Sequence, residues 1–280
     1  MARYKRIARV FPMAVVPLAL GLAPQASWAE EHEAEFDVAE LFFELNNTDG
    51  DLGIHALIDG EAWKKLEIED KKEREILDVT VKGRLRRQGL TEIFFESAEP
   101  TFDDLPPAQF FRRFPAGTYE IEGTTLDEVE LENEVELTHV MPAPPVPTVN
   151  GEPAATVCDS DDPDYDAPVV STPVIIAWPA VRMSHPDPAG GGAGVKPPIP
   201  VTINNYEVVV EVELDDDFAS TIHVVLPPDV SSMTIPDEFI AQGDGEFKYE
   251  VLAREESFNQ TAVESCFMLV ENGNGGNGDE

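Results

Sequence analysis

Side-chain oxygens stand at three alternate positions of one short segment, at Asn47, Asp49 and Asp51. Alternate oxygen donors are what a loop offers to a hard cation, so these residues are candidate calcium ligands. A complete EF-hand is excluded, because Leu52 occupies the place of the required glycine and Ile58 that of the bidentate glutamate. Asn, Asp and Gly also suit a tight hairpin turn without any metal, and that alternative stays open.

A second run of acidic residues, DSDDPDYD, covers residues 159–166. Its carboxylates also suit a cation, whereas blocks of like charge are usually solvated linkers, so both alternatives stay open. Calcium is the one cofactor that the sequence suggests.

Common catalytic motifs are missing from the sequence. The five histidines lie far apart, and none belongs to an H-E-x-x-H ligand pair. There is neither a G-x-S-x-G nucleophile turn nor a phosphate-binding G-x-x-x-x-G-K segment. With 55 Asp and Glu residues, no single carboxylate pair indicates a glycosidase. We therefore expect a protein that is not an enzyme.

Composition excludes further classes. The chain has 280 residues, with 19 Lys and Arg against 55 Asp and Glu, and a formal net charge of −36. This charge repels nucleic-acid phosphates and anionic lipids, so neither is an expected partner. A hydrophobic content of 42% argues against wholesale disorder, while 24 Pro and 19 Gly indicate many turns and few long helices.

The first 29 residues have the features of a secretory signal peptide. Basic residues precede an apolar run from Val10 to Leu22, and small residues flank a cleavage site before Glu30. The run is too short to cross a bilayer, so we expect no membrane insertion after the signal is removed. The style of the signal suggests a bacterial protein that is secreted or periplasmic.

The chain has two cysteines, Cys158 and Cys266. Export places them in an oxidising compartment, where a pair of cysteines usually forms a disulfide. We expect this bridge, with two buried free thiols as the alternative.

The elements expected between residues 36 and 141 are short strands. Segments of alternating polar and apolar residues are separated by turn residues, which is typical of an antiparallel β-sandwich. One short helix is expected after Pro106, capped by Asp103 or Asp104, with aromatic side chains on one face. Its aromatic cluster is expected to plug an open end of the sandwich.

Two segments carry charges of one sign at every second position, from Val129 to Val140 and from Thr80 to Arg86. Side chains two apart in a strand share a face, so each row lies on one face. We expect the two strands to be neighbours, with residues such as Glu132 and Arg84 paired across them. Two separately solvated rows, tolerated in a salty medium, are the alternative.

The proline-rich segment MPAPPVPTV, residues 141–149, predicts an extended, semi-rigid spacer between two domains. The expected organisation is a signal peptide (1–29), an N-terminal immunoglobulin-like β-sandwich with one short helix (30–141), a Pro-rich and acidic linker (142–166), a second β-sandwich (167–271) and a disordered tail (272–280). The fold class is therefore all-β, with two immunoglobulin-like antiparallel sandwiches in tandem joined by a Pro-rich hinge.

The second half carries a family resemblance in three segments. VIIAWPAV begins at residue 174, NYEVVV at residue 205 and FKYEVLA at residue 247. They resemble strands B, C and F of a fibronectin type III domain, with Trp178, Tyr206 and Tyr249 at the family's core positions. The resemblance implies that these three side chains pack the centre of the sandwich. The first half resembles no family that we can name.

Together these features predict an exported, non-catalytic binding or spacer protein of the cell envelope or extracellular space. Its sandwiches would present loops to a protein or polysaccharide partner. A calcium-stabilised structural or adhesion protein and an accessory module of a hydrolase are the alternatives.

Overall fold

Alternation of apolar and polar residues builds the molecule mainly from strands. The structure, a computed structural model, describes residues 34–186, 198–215, 218–243 and 245–270. It is 54% strand and 6% helix in a sandwich-like arrangement, which confirms the predicted all-β sandwich class. The predicted signal peptide and disordered tail lie outside the described residues.

The strands are β1 (Val38–Asn46), β2 (Asp51–Asp70), β3 (Arg74–Thr80), β4 (Leu90–Glu96), β5 (Gly117–Thr125), β6 (Glu130–Leu137), β7 (Thr148–Val149), β8 (Glu152–Pro153), β9 (Val169–Val170), β10 (Ile175–Ala177), β11 (Ile203–Asp215), β12 (Phe218–Leu226), β13 (Ser232–Thr234), β14 (Glu246–Glu255) and β15 (Gln260–Leu269). The helices are α1 (Pro107–Arg113), α2 (Asp237–Ile240) and a 3₁₀ turn at Leu85–Arg87.

Strand β2 organises the first half of the chain. The sequence predicts only short strands between residues 36 and 141, but the structure has one strand of 20 residues here. Its first part pairs with β1 and β4, and its second part pairs with β5 and β3. The β2–β4 register shifts between Asp59 and Trp63, which marks the change of partners. One strand thus contributes to two sets of neighbours.

The helix α1 covers the core of the first half. Phe110 and Phe111 are buried and contact the ring of Phe43 with centroids 5.9 and 5.3 Å apart. The expected helix and its inward aromatic face are therefore present. The expected cap is wrong: Pro106 is the N-cap residue and no side chain caps the helix. Pro107, at the first helical position, lacks one of the N–H groups that the start of a helix leaves without a partner.

The second half has two facing layers. Four strands in the order β12-β11-β14-β15 form one layer, and β13-β10-β7-β8 form the other. Trp178, Tyr206 and Tyr249 belong to the buried cluster of this half, with exposed fractions of 3%, 1% and 3%. The Tyr206 hydroxyl accepts a hydrogen bond of 2.8 Å from the Val181 backbone N–H.

A feature that the sequence did not predict is the pairing of the two halves. Strand β1 of the first half runs parallel to β15 of the second, with Glu44 opposite Gln260 and Asn46 opposite Ala262. One sheet therefore continues from β12 through β15, β1 and β2 to β6. The apolar side chains still form two separate clusters, residues 36–141 and 149–267. The division into two domains at residue 142 stays a prediction.

The expected pairing of the acidic row on β6 with the basic row near Arg84 is wrong. Strand β6 pairs with β5, where Glu132 stands opposite Glu122. Arg84 precedes the 3₁₀ turn and is not in a strand, because β3 ends at Thr80. Glu122 in turn faces Glu67 of β2, so carboxylates lie side by side on three adjacent strands.

The proline-rich segment between the two clusters is fixed at both ends. Met141 and Val149 are buried, with exposed fractions of 1% and 0%. The Thr261 hydroxyl of β15 donates a hydrogen bond of 2.8 Å to the Pro142 carbonyl. No helix in the described part of the chain is long and apolar enough to cross a membrane.

Candidate functional site

The face of the joined sheet that points away from both apolar clusters is rich in carboxylates. On β1, Leu41, Phe43 and Leu45 enter the core, so Glu40 and Glu44 lie on the opposite side. The same alternation on the neighbouring strands adds further residues. We call this surface the junction face, formed by Glu40, Phe42, Glu44, His55, Phe94, Glu96, Glu207, Glu250, Arg254 and Gln260.

A compact group of side chains lies at one end of the junction face. One ring nitrogen of His55 and one carboxylate oxygen each of Glu44 and Glu99 lie within 4.8 Å of one another. The His55 Nε2 atom is 3.0 Å from Glu99 Oε1, and its Nδ1 atom is 3.8 Å from Glu44 Oε2. His55 is only 3% exposed. An imidazole and two carboxylates together can bind a metal ion. The imidazole can instead take up a proton.

Local backbone features bring Glu99 to this group. Ser97, just after β4, accepts a hydrogen bond at Oγ from the Ile54 N–H, and its own N–H donates to the Ile54 carbonyl, both at 3.0 Å. This ties the loop to β2. Gly53 leaves the space that Glu99 fills, because a Cβ atom at Gly53 would overlap the Glu99 side chain.

Burial and mutual repulsion shift the protonation of these carboxyls. Burial, followed by repulsion from the nearby Glu44 and Glu264, raises the pKa of Glu250 to about 8. Burial also raises the pKa of Asp51 to about 6, with Glu99 as the next contributor. The pKa of Glu44 is raised by burial as well, against the lowering effect of His55. These carboxyls therefore lose their protons at higher pH than exposed carboxyls do.

Arg254 of β14 carries positive charge on the same face. Its Nη2 atom lies 2.6 Å from Glu40 Oε2 of β1, and its guanidinium lies 4.4 Å from the centre of the Phe42 ring. The side chain is 13% exposed. This ion pair joins the two halves across β15 and neutralises one end of the junction face.

The predicted calcium residues form the β1–β2 turn. Asn46 Oδ1 accepts hydrogen bonds from the N–H groups of Thr48 and Asp49 at 2.9 and 3.2 Å, which is the turn stabilisation that the sequence left open as an alternative. The Asn47 Oδ1 atom lies 3.1 Å from His185 Nε2. Asp51 is different, because its Oδ1 atom is buried without a hydrogen-bond partner. Calcium at this turn stays a prediction.

The second acidic run is used in local hydrogen bonds. Asp166 accepts from the N–H groups of Thr156 and Val157 at 2.8 and 2.9 Å. Cys158, just before this run, forms the predicted disulfide with Cys266 of β15.

Sequence reasoning missed Glu44, His55 and Glu99 as a group. They lie on β1, on β2 and in the loop after β4, and no short motif connects them. A weak signal exists, because His55 and Gly53 are the non-aliphatic positions of the run LGIHALI. Their partners follow from strand register and not from local spacing.

No protein-family model matches this chain, and no curated protein is similar to it in sequence. Among solved structures, the FN1–FN3 domains of chicken CNTN1 match over 84% of this chain with 9% identity and a TM-score of 0.29. A 1.5-MDa bacterial ice-binding adhesin matches over 84% with 12% identity and a TM-score of 0.22. A tetra-tandem repeat from the extending region of a large adhesion protein matches over 83% with 12% identity and a TM-score of 0.25. This chain covers 65%, 65% and 50% of those chains, less than two thirds of each.

Proposed function

We propose that this protein is an exported, non-catalytic binding or spacer protein of the cell envelope or extracellular space. The observation that carries the proposal is the continuous sheet across both halves, made by the parallel pairing of β1 with β15. A spacer must hold its two ends in a fixed relation, and a shared sheet does this more firmly than a flexible linker.

Buried polar contacts strengthen this pairing. Asn259 is 0% exposed and accepts a hydrogen bond from the Phe43 N–H, while its amide donates to the carbonyls of Thr138 and Val140, both at 3.0 Å. Breaking the junction would leave these groups unpaired inside the protein, which is costly. The two halves are therefore expected to move and unfold together.

The disulfide supports an exterior location. Cys158 follows the Pro-rich segment and Cys266 lies in β15, so the bridge ties the linker to the sheet. Disulfides persist in oxidising compartments, in agreement with the predicted signal peptide at residues 1–29. The second half also keeps its fibronectin type III resemblance, because Trp178, Tyr206 and Tyr249 all pack inside its sandwich.

The partner proposed is a protein or a polysaccharide. With a net charge of −36, the surface favours partners that carry positive charge or that bind through loops at the ends of the sandwiches.

Calorimetry of the mature chain from Glu30 onward tests the fixed junction. We expect one transition whose calorimetric and van't Hoff enthalpies agree. Two separate transitions would contradict a rigid spacer.

Mass spectrometry of the protein exported by a bacterial host tests the location, with a mature N-terminus at Glu30 as the expected result. Retention inside the cell of the full chain, with residues 1–29 uncut, would contradict export.

A second candidate is a calcium-stabilised structural or adhesion protein. Asp51 favours it, because its Oδ1 atom is buried without a partner next to Asp49 and Glu99. Millimolar calcium is then expected to raise the unfolding midpoint over that in EDTA at fixed ionic strength, and Asp51→Asn to remove the rise. An equal midpoint with and without calcium would exclude this candidate.

A further inference from the structure

We propose that Glu44, His55 and Glu99 form a binding site for a divalent transition-metal ion, with Zn²⁺ as the probe. The proposal goes beyond a spacer function and uses none of the residues predicted as calcium ligands. It is independent of export and of the partner, and Glu99 also lies near Asp51 of the calcium candidate.

The distances in the cluster fit three ligands of one ion. Zn²⁺ lies about 2.0–2.2 Å from imidazole nitrogen and carboxylate oxygen, so two ligands of one ion lie about 3–3.6 Å apart. The His55 Nε2 and Glu99 Oε1 atoms are 3.0 Å apart. The 3.8 Å contact of Glu44 is with the other ring nitrogen, Nδ1. One ring nitrogen and one oxygen of each glutamate nevertheless lie within 4.8 Å of one another, so a rotation of the Glu44 side chain brings its carboxylate to the same ion. Three protein ligands would leave a fourth position for water.

A second observation, independent of the carboxylates, is the amide of Gln260. This residue is 94% buried and lies opposite Glu44 in the parallel β1–β15 pairing. Its Nε2 donates to Glu44 Oε2, whereas its Oε1 atom is buried without a hydrogen-bond partner. A buried amide oxygen normally has a partner. A water molecule held by a metal ion at this cluster would supply one.

The backbone around the cluster is shaped for Glu99. Gly53 is the residue opposite Glu44 in the β1–β2 pairing, and a Cβ atom there would overlap the Glu99 carboxylate. The mutual hydrogen bonds of Ile54 and Ser97 hold the loop in place. Strand β2 and the loop after β4 therefore fix the position of Glu99.

The surroundings favour a cation, and the imidazole selects its class. The carboxyls of Glu96, Asp51 and Glu264 lie near enough to perturb the cluster electrostatically. A mixed nitrogen and oxygen donor set suits Zn²⁺ and neighbouring transition metals, whereas Ca²⁺ prefers oxygen alone. Access is open, because the side chains of Glu44 and Glu99 are 19% and 24% exposed.

Titration calorimetry of the EDTA-treated mature chain with ZnCl₂ tests the site. We expect one equivalent of Zn²⁺ to bind. In thermal unfolding, a free Zn²⁺ concentration of 100 times Kd is expected to raise the midpoint by about 5–10 °C. His55→Gln is expected to weaken Zn²⁺ binding at least tenfold. His223→Gln is the matched control, because the His223 side chain is 53% exposed and its ion pair is with Glu207, which is not part of the cluster.

Two further variants keep the test decisive if His55→Gln folds poorly. Glu99→Gln removes a ligand in a surface loop, and Gly53→Ala displaces Glu99 without removing any ligand. Both are expected to weaken Zn²⁺ binding at least tenfold while circular dichroism shows the native fold. The proposal is overturned if the wild-type protein binds no Zn²⁺ at millimolar ZnCl₂, or if all three variants bind Zn²⁺ as tightly as the wild type does. Stabilisation by CaCl₂ but not by ZnCl₂ would also overturn it.

Discussion

The side chain of Asn259 accepts a hydrogen bond of 2.8 Å from the backbone N–H of Phe43, although the two residues are 216 positions apart. Phe43 belongs to the core of the first half, and Asn259 precedes the last strand of the second. This contact and the β1–β15 pairing beside it make the two halves one hydrogen-bonded structure. The predictions below concern this junction and the charges around it.

Replacing Asn259 by alanine should destabilise the whole protein. The change leaves the Phe43 N–H and the carbonyls of Thr138 and Val140 without their buried partner. We expect a loss of about 3 kcal/mol in the free energy of unfolding, measured by urea denaturation. Asn204→Ala is the control, since Asn204 is exposed and makes one long hydrogen bond of 3.4 Å. Equal stability of the two variants would show that the junction contributes little.

Arg254→Ala should also weaken the junction. The change leaves Glu40 on the junction face without its cation and uncovers the Phe42 ring. We expect a loss of about 2–3 kcal/mol in chemical denaturation. Arg254→Lys keeps the charge but loses the planar guanidinium, so an intermediate loss is expected. If alanine and lysine destabilise equally, the charge itself has no role.

Reduction of the Cys158–Cys266 disulfide should lower stability without changing the fold. The bridge closes a loop with a sequence separation of 108, and such closure stabilises by about 4–5 kcal/mol in the chain-entropy model. The double variant Cys158→Ser, Cys266→Ser should match the reduced wild type in its unfolding midpoint. A midpoint equal to that of the oxidised protein would contradict the expectation.

Stability should fall as pH rises through the range in which Glu250 loses its proton. Burial raises the pKa of Glu250 from 4.5 to about 8, so between these values the folded state holds a proton that the unfolded chain has released. The free energy of unfolding therefore decreases as pH increases from about 4.5 to about 8, by up to about 1.4 kcal/mol per pH unit. Charged groups that face Glu250 include Glu44, Glu264, Glu207 and Glu99.

Glu250→Gln should reduce the slope of the free energy of unfolding against pH. It should also make the protein more stable than the wild type at pH 8. Denaturation curves at pH 5, 6.5 and 8 measure it. Glu246→Gln, at the start of the same strand, is the control and should keep the wild-type slope. An unchanged slope in Glu250→Gln would mean that this carboxyl does not govern the pH dependence.

Salt should stabilise the first half of the molecule. Glu67, Glu122 and Glu132 lie side by side on β2, β5 and β6. The pKa of Glu122 is raised, mainly by burial and then by repulsion from neighbouring carboxylates that include Glu132 and Glu67. Screening shortens the range of their repulsion from about 30 Å at 0.01 M salt to about 10 Å at 0.1 M. We expect the unfolding midpoint to rise with NaCl, and Glu122→Gln to raise it at low salt while reducing its salt dependence. A midpoint independent of NaCl in wild type would contradict this.

Much of the local structure follows from the sequence. Alternation on β1 separates Leu41 and Phe43, which enter the core, from Glu40 and Glu44, which do not. The disulfide was predicted from two cysteines in a chain that begins with a predicted signal peptide, and the helix from Pro107 and its aromatic face. The length of β2 was not predictable in the same way, because its change of partners is set by the strands around it.

The failed pairing of Glu132 with Arg84 shows where such reasoning ends. Opposite charge favours a pair only when the backbones are already neighbours, and here the short β5–β6 connection brings Glu132 next to Glu122. Sequence proximity outweighed charge, since a hairpin loses less chain entropy than a distant pairing.

The sequence by itself determined the all-β class, the inward and outward faces of the strands and the acidity of the surface. Tertiary structure alone decided that β1 meets β15, and hence that Glu44 lies beside Gln260, His55 and Glu99. The physical reason is that alternation specifies which face a side chain occupies, whereas every strand offers the same backbone donors and acceptors to any neighbour. The choice of neighbour comes from packing the whole chain, in which residues 216 positions apart become adjacent.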